Sequence, residues 1–182
     1  GGARHSDALA ALGARRPARR RPRRIRDRGR SRLRGSGDDD DVYLLKVDPA
    51  GKEEWHRTWG GPRIDSASSV RQTEDGGYLV GGTVDWPRWL GSSYGPGQSD
   101  GFLMATDGLG NPIWEKRYGT ACDDGIGLIA IEEDGGIIAA GNIVSPGRGY
   151  WDIWLLKTDA VGTPEWQFAL GGPGNDGASC LL

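Results

Sequence analysis

The chain contains, at residues 41–61, the stretch DVYLLKVDPAGKEEWHRTWGG. Two further stretches align with it without gaps: DGFLMATDGLGNPIWEKRYGT at residues 100–120 and DIWLLKTDAVGTPEWQFALGG at residues 152–172. The copies are 59 and then 52 residues apart. Self-similarity with a period of roughly 20 to 50 residues or slightly more is the signature of a repeat architecture. The chain is therefore expected to consist of consecutive copies of one structural unit.

Three columns of this alignment hold the same residue in every copy: an aspartate, a glycine three positions later and a tryptophan four positions after the glycine. Aspartate at such a place usually accepts hydrogen bonds from its own turn, so we favour this role over metal ligation. A tryptophan buries about 150–250 Å², which makes this column the expected anchor between units. The columns are Asp48, Asp107 and Asp159; Gly51, Gly110 and Gly162; and Trp55, Trp114 and Trp166.

A second block repeats as well, because DSASSVRQTEDGGYLVGGT at residues 65–83 matches DGIGLIAIEEDGGIIAAGN at residues 124–142. Asp-Gly or Gly-Gly between two apolar runs predicts a β-hairpin. Pro49 and Gly51 predict a tight turn between the apolar runs on either side of them. Each repeat thus reads as four short strands, whereas frequent Gly and Pro disfavour helix. Stacked four-stranded units of this length are typical of β-propeller blades.

The predicted fold is all-β: a partial β-propeller of about two and a half to three four-stranded antiparallel blades, open and not closed. The blades occupy residues 37–182, and the last is truncated at 182. Because propellers close with about four to eight blades, we expect an open stack whose partners are the missing blades of a parent chain. The predicted blade strands lie within residues 41–61, 65–83, 100–119, 124–142 and 152–171.

The repeat pattern Asp-aromatic-Leu-Leu-Lys-x-Asp-x-x-Gly-x-x-x-Trp, followed by Gly-Gly and then Asp-Gly-Gly-Tyr, resembles the secreted bacterial and archaeal β-propeller repeats of the quinoprotein-like superfamily. Residues 51–55, GKEEW, are similar to the Gly-Lys-x-x-Trp docking motif of quinoprotein blades. The resemblance implies that the tryptophan packs between adjacent blades. It also implies an extracellular or cell-surface location. The chain departs from the family in its shorter Asp-to-Gly turn.

The charge is divided unevenly along the chain. Residues 1–36 hold 13 arginines and two aspartates, so the remaining residues carry a net charge of −13 within the total of −2. Four interpretations of residues 1–36 remain open: a nucleic-acid-binding arm, a disordered linker, a transit-like peptide, or a frame-shifted remnant of a blade. We favour the last, because another blade segment is due at this position. Codons chosen for residues 23–29 and read one nucleotide later give Gly-Gly-Tyr-Val-Ile-Ala-Gly.

Two classes of partner are not expected. No aromatic residue lies among the arginines and no nucleic-acid-binding motif follows them, so we expect no nucleic-acid partner. No apolar run approaches the roughly 18 residues of a membrane helix, so we expect no membrane span. The two cysteines, Cys122 and Cys180, are expected to be buried thiols rather than a disulfide bridge.

Aromatic residues near two loops are the candidate ligand-binding residues. Trp86, Trp89 and Tyr94 share one irregular segment, and Tyr150 and Trp151 lie in the neighbouring loop. Such rings can stack on sugars, or they can cover a hydrophobic edge. We predict no catalytic residue and no cofactor.

Aspartates at the corners where strands begin are a second candidate site. Asp65, Asp123, Asp124 and Asp176 occupy these positions. Calcium binding there is the alternative to the backbone capping that we favour.

The function predicted from the sequence is a non-enzymatic binding or scaffold module of a secreted or cell-surface protein, with polysaccharide or a surface protein as partner. A piece of a glycan-active, glycoside hydrolase-like propeller enzyme is the alternative. A quinoprotein-type redox enzyme is a weaker third, because the tryptophan motif marks blade packing and no cofactor pocket can be assigned.

Overall fold

The computed structural model describes residues 10–15, 41–60, 64–85, 99–144 and 151–181. All regular elements in these ranges are β-strands, and none of the described residues is helical. The strands are β1 (Ala10–Arg15), β2 (Asp41–Val47), β3 (Glu53–Trp59), β4 (Asp65–Gln72), β5 (Tyr78–Asp85), β6 (Ser99–Thr106), β7 (Pro112–Tyr118), β8 (Asp124–Ile131), β9 (Ile137–Val144), β10 (Trp151–Thr158) and β11 (Pro164–Leu170).

These strands form three antiparallel sheets. The first sheet has the order β1-β2-β3, the second β4-β5-β6-β7 and the third β8-β9-β10-β11. In the second and third sheets every strand pairs with the strand that follows it in the sequence. The predictions of an all-β fold and of four-stranded antiparallel units are therefore confirmed.

The first sheet draws one strand from the arginine-rich segment. Strand β1 pairs with β2, in the place that β5 takes beside β6 and β9 takes beside β10. The rest of the segment, including residues 23–29 on which the frame-shift hypothesis depends, lies outside the described residues.

The predicted hairpins form where Asp-Gly-Gly was found. Between β4 and β5 the backbone N–H of Thr73 donates to the carbonyl oxygen of Gly77 at 3.0 Å. Gly76 has a φ of 85°, a left-handed conformation that glycine adopts without a steric penalty. The Asp75 carboxylate accepts from the Thr73 hydroxyl at 2.5 Å, and this hydrogen bond, with a weaker one from the Gly77 N–H, lowers the pKa of Asp75. The Asp75 side chain thus stabilises the turn by hydrogen bonding.

The sheets pack face to face and enclose two hydrophobic layers. Strand β4 packs against β1 and β2, and β8 packs against β4, β5 and β6. The first layer lies between the first and second sheets and contains Val42, Leu44, Tyr78, Val80, Val84, Phe102 and Met104. The second lies between the second and third sheets and contains Leu79, Leu103, Tyr118, Ile126, Ile129, Ile137, Ala139, Ile143, Trp154 and Leu156.

The central sheet is therefore covered on both faces. Phe102 and Met104 face the first sheet from β6, while Leu103 between them faces the third. This explains why the apolar residues of β6 are continuous rather than alternating.

The prediction that the cysteines are free thiols is confirmed, but the prediction that they are buried is wrong. Cys122 is half-buried and Cys180 is exposed, and both thiols are free. Cys122 lies in the corner between β7 and β8, and Cys180 follows β11, so neither is in a strand whose two faces are covered. In the described part of the chain there is also no helix of the length and apolarity needed to cross a membrane.

Candidate functional site: the inter-sheet joints and a polar cleft

Each of the three repeats has the same turn between its last two strands. In the second repeat the Asp107 carboxylate accepts hydrogen bonds from the backbone N–H groups of Leu109 at 2.9 Å and Asn111 at 2.8 Å. The Asn111 side chain donates a further hydrogen bond, and it is the largest cause of the lowered pKa of Asp107. Asp48 and Asp159 accept from the same two positions of their own turns. The aspartates of this column therefore stabilise their own turns through hydrogen bonds.

The glycine of this turn is the point at which one sheet meets the preceding one. A Cβ atom at Gly110 would lie 2.8 Å from Cζ3 of Trp55 and 2.9 Å from Cγ of Arg57. Gly110 has a φ of 76°, so the turn requires glycine both for its backbone conformation and for this close approach. The Arg57 guanidinium lies over the Trp55 ring, 5.4 Å from its centroid. We call the contact of Trp55 with Gly110 the first joint.

The same contact recurs between the second and third sheets. A Cβ atom at Gly162 would lie 2.8 Å from the hydroxyl oxygen of Tyr118 and 3.0 Å from both Cζ3 and Cη2 of Trp114. The Tyr118 hydroxyl donates a hydrogen bond of 2.7 Å to the carbonyl oxygen of Gly162. The Lys116 ammonium donates to the Thr163 hydroxyl at 3.4 Å. We call the contact of Trp114 with Gly162 the second joint.

The last tryptophan of its column and the first glycine of its column have no described counterpart. Trp166 is 37% exposed and packs only against its neighbour Phe168 among the ring contacts of the described residues, with centroids 5.1 Å apart. Gly51 is exposed, and no described atom lies within 4 Å of the place of its Cβ. Among the described residues there are therefore two occupied joints, one open tryptophan face and one open turn.

A cleft of about 330 Å³ lies where the second and third sheets meet at their other edge. Its lining combines the half-buried ring of Trp151 with hydroxyl and amide groups, among them Thr83, Ser99 and Asn142. Apolar surface with a few polar groups is the usual composition of a small-molecule site. The cleft therefore can hold a polar ligand that has an apolar face.

The backbone of Trp151 is held on two sides. Trp151 pairs with Val144 of β9, and its N–H donates to the Asn175 side chain at 3.2 Å. Its carbonyl oxygen accepts from the Asp176 N–H at 2.7 Å. Of the five aromatic residues predicted to bind a ligand, Trp151 is the one that the structure describes; Trp86, Trp89, Tyr94 and Tyr150 lie outside the described residues.

Two of the four predicted corner aspartates, Asp124 and Asp176, act as caps. The buried Asp124 carboxylate accepts hydrogen bonds from the backbone N–H and the hydroxyl of Thr120 and from the Val144 N–H. Asp176 accepts from the Gly172 N–H at 2.7 Å in the same way. Burial raises the pKa of Asp124 despite these hydrogen bonds.

These corners do not form a recognisable metal centre. No group of three or more His, Cys, Asp or Glu side chains within residues 41–60, 64–84, 99–144 and 151–181 is arranged to hold a metal ion. Calcium binding at the corners stays a prediction.

Sequence reasoning missed Tyr118, which ties the second sheet to the third. Its column holds Trp59 in the first repeat and Leu170 in the third, so identity between copies does not reveal it. A large apolar residue four positions after the anchor tryptophan is the signal that could have identified this position.

Comparison with known proteins finds a similar protein but no matching family. No protein-family model matches the chain. The chain is 30% identical over 162 residues to the regulatory protein FlaEY of Caulobacter vibrioides, in an alignment that covers 79% of this chain. The chain spans 17% of the length of that protein.

Proposed function

We propose that the chain is a section of a β-propeller that works as a non-enzymatic binding and scaffold module of a secreted or cell-surface protein. The observation that carries this proposal is the joint that occurs twice, in which the turn glycine of one sheet sits on the tryptophan of the sheet before it. A four-stranded unit that docks onto its neighbour by one repeated contact is the construction principle of a propeller. The extracellular location rests on the resemblance of the repeats.

The polar cleft is the proposed binding site, and a carbohydrate is the proposed ligand. A half-buried tryptophan ring offers a flat apolar surface, and Asn142, Thr83 and Ser99 offer donors and acceptors for sugar hydroxyl groups.

Binding is favoured over catalysis because of the state of Asp124. This buried carboxylate in the cleft lining already accepts three hydrogen bonds from its own corner. Proton transfer to a substrate requires a carboxyl group within hydrogen-bond reach of the reacting atom. A carboxylate committed to Thr120 and Val144 is instead a structural cap.

Glycan binding tests the proposal directly. We expect the chain to bind at least one member of a polysaccharide array in a saturable manner, and Trp151→Ala to weaken that binding by more than about tenfold, as loss of a central aromatic contact does. Trp166→Ala is the matched control, because it removes a tryptophan that is not among the residues lining the cleft. A folded chain that binds no glycan would refute the carbohydrate proposal.

A further inference from the structure

We propose that two copies of this chain associate head to tail, with the open turn (residues 48–51) of one copy seated on the open face (Trp166, Phe168 and Leu170) of the other. The inference rests on the proposed function, because it applies the propeller joint between copies. It goes beyond that function because the partner is a second copy of the chain and the residues in contact are specified.

The open face is the surface that neighbouring sheets cover elsewhere in the chain. Trp166, Phe168 and Leu170 alternate along β11, so they share one side of it, and they are 37%, 56% and 51% exposed. The equivalent residues of β7 include Trp114, which sits on Gly162, and Tyr118, which is 8% exposed. The difference is that a further sheet lies against β7.

Composition makes this face more apolar than either occupied joint. Arg57 and Lys116 stand at the column that Phe168 fills in the third repeat. In the first two joints these cations add to the hydrogen bonds that lower the pKa of Asp107 and Asp159 in the facing turns. At the open face this position holds the aromatic ring of Phe168. Association there must therefore be driven by burial of apolar surface and not by charge.

The open turn has the shape that such a face accepts. Gly51 has a φ of 79°, close to the 76° of Gly110 and the 77° of Gly162. Asp48 fastens its turn through the same two backbone hydrogen bonds as Asp107 and Asp159. Gly110 and Gly162 are buried under a tryptophan, whereas Gly51 is exposed.

The sheet behind the open turn continues the surface. Leu45 and Val47 of β2 are half-buried, whereas Met104 and Thr106, their equivalents in β6, are buried. The first sheet therefore presents a strand face as well as a turn to a partner. The two surfaces differ from each other, so the association is heterologous and produces rings or open chains rather than a symmetric dimer.

Two blocking variants test the proposal. Gly51→Asn suits the monomer, because asparagine tolerates positive φ and no described atom occupies the space, but it places a side chain where the tryptophan must lie. Phe168→Asp puts a charge in the middle of the open face. Gly76→Asn, at a φ of 85° with no described neighbour, and Ala169→Asp, on the other side of β11, are the matched controls.

The readout is the mass in solution, measured by sedimentation over a range of concentrations, with circular dichroism to verify the fold. We expect the parent chain and both controls to self-associate, and each blocking variant to lose this association by more than about tenfold. An equal mixture of the two blocking variants should form a dimer, because one retains the open face and the other the open turn.

Three results would overturn head-to-tail association: a parent chain that stays monomeric, self-association that survives both blocking variants, or a mixture that does not pair. None of them bears on glycan binding at Trp151, which is measured separately. Failure of this inference can therefore be distinguished from failure of the proposed function.

Discussion

The hydroxyl group of Tyr118 donates a hydrogen bond of 2.7 Å to the carbonyl oxygen of Gly162 and so ties the second sheet to the third. Burial raises the pKa of Tyr118 from 10.0 to about 12, with a smaller contribution from the charge of Asp159. A pKa that is higher in the folded state means that folding favours the protonated hydroxyl. Its contribution is complete below pH 10 and is lost as the pH rises toward about 12.

Tyr118→Phe should therefore change how stability depends on alkaline pH. At neutral pH we expect the variant to lose about 1 kcal/mol in free energy of unfolding, the usual contribution of one hydrogen bond. The difference between the parent and the variant should shrink as the pH rises from 10 to about 12. Urea unfolding at neutral and alkaline pH measures both quantities, and a pH-independent difference would contradict the role given to the hydroxyl.

The two tryptophans Trp114 and Trp166 occupy one column of the repeat but should differ sharply in their effect on stability. Trp114→Ala removes the ring on which Gly162 sits, and we expect a loss of about 3 kcal/mol in free energy of unfolding. Trp166→Ala removes a ring from the open face and should cost less than about 1 kcal/mol. Denaturant unfolding at low protein concentration, where copies do not associate, checks the contrast. Equal losses would be incompatible with it.

Alanine at the turn glycines separates backbone strain from close approach. Gly51→Ala meets positive φ alone and should cost about 1–2 kcal/mol. Gly110→Ala meets the same φ and in addition places a methyl group against Trp55, which should add about 1–3 kcal/mol. Thermal unfolding of the two variants measures the difference. If both lose the same amount, Gly110 is required by its turn and not by the neighbouring sheet.

Asp107 should protect the fold against acid. Its pKa lies below the ordinary 3.8, first because of the Asn111 side chain and then because of backbone N–H groups. A lowered pKa contributes stability that is present above pH 3.8 and is lost as the pH falls through the folded-state value. Asp107→Asn keeps the shape of the side chain but removes its charge, so the variant should unfold at a lower temperature at neutral pH and show a smaller further decrease in acid. If the unfolding temperature of the variant falls in acid as much as that of the parent, the Asp107 turn is not the source of this stability.

Much of the fold could be predicted from the repeat itself. The Asp-x-x-Gly and Asp-Gly-Gly patterns are typical of tight turns. They therefore predicted the turns at Gly51 and Gly76 and the strands on either side of them. The burial of the cysteines was predicted wrongly for two reasons: Cys122 lies in a corner outside the repeated strands, and Cys180 lies in the column of Ser69, where the third repeat forms no strand.

The candidate site was harder to predict. The cleft joins Thr83 of β5, Asn142 of β9 and Trp151 of β10, which belong to two sheets and are far apart in the sequence. Only the packing of one sheet on another brings them together. Trp151 and Asp124 were each identified from the sequence, but as members of two different candidate sites.

The central claim is that consecutive sheets are joined by a tryptophan seated on a turn glycine, and a double-mutant cycle on Trp114 and Gly162 tests it most directly. Gly162→Ala should be less costly in Trp114→Ala than in the parent chain, because the methyl group can then move into the vacated space, whereas the cost of the positive φ and of the contact with the Tyr118 hydroxyl is the same in both. We predict a coupling free energy of about 1–3 kcal/mol, as for residues in contact. Gly76→Ala with Trp114→Ala is the control pair and should be additive. Additivity of the Gly162 and Trp114 substitutions within about 0.5 kcal/mol would contradict the claim.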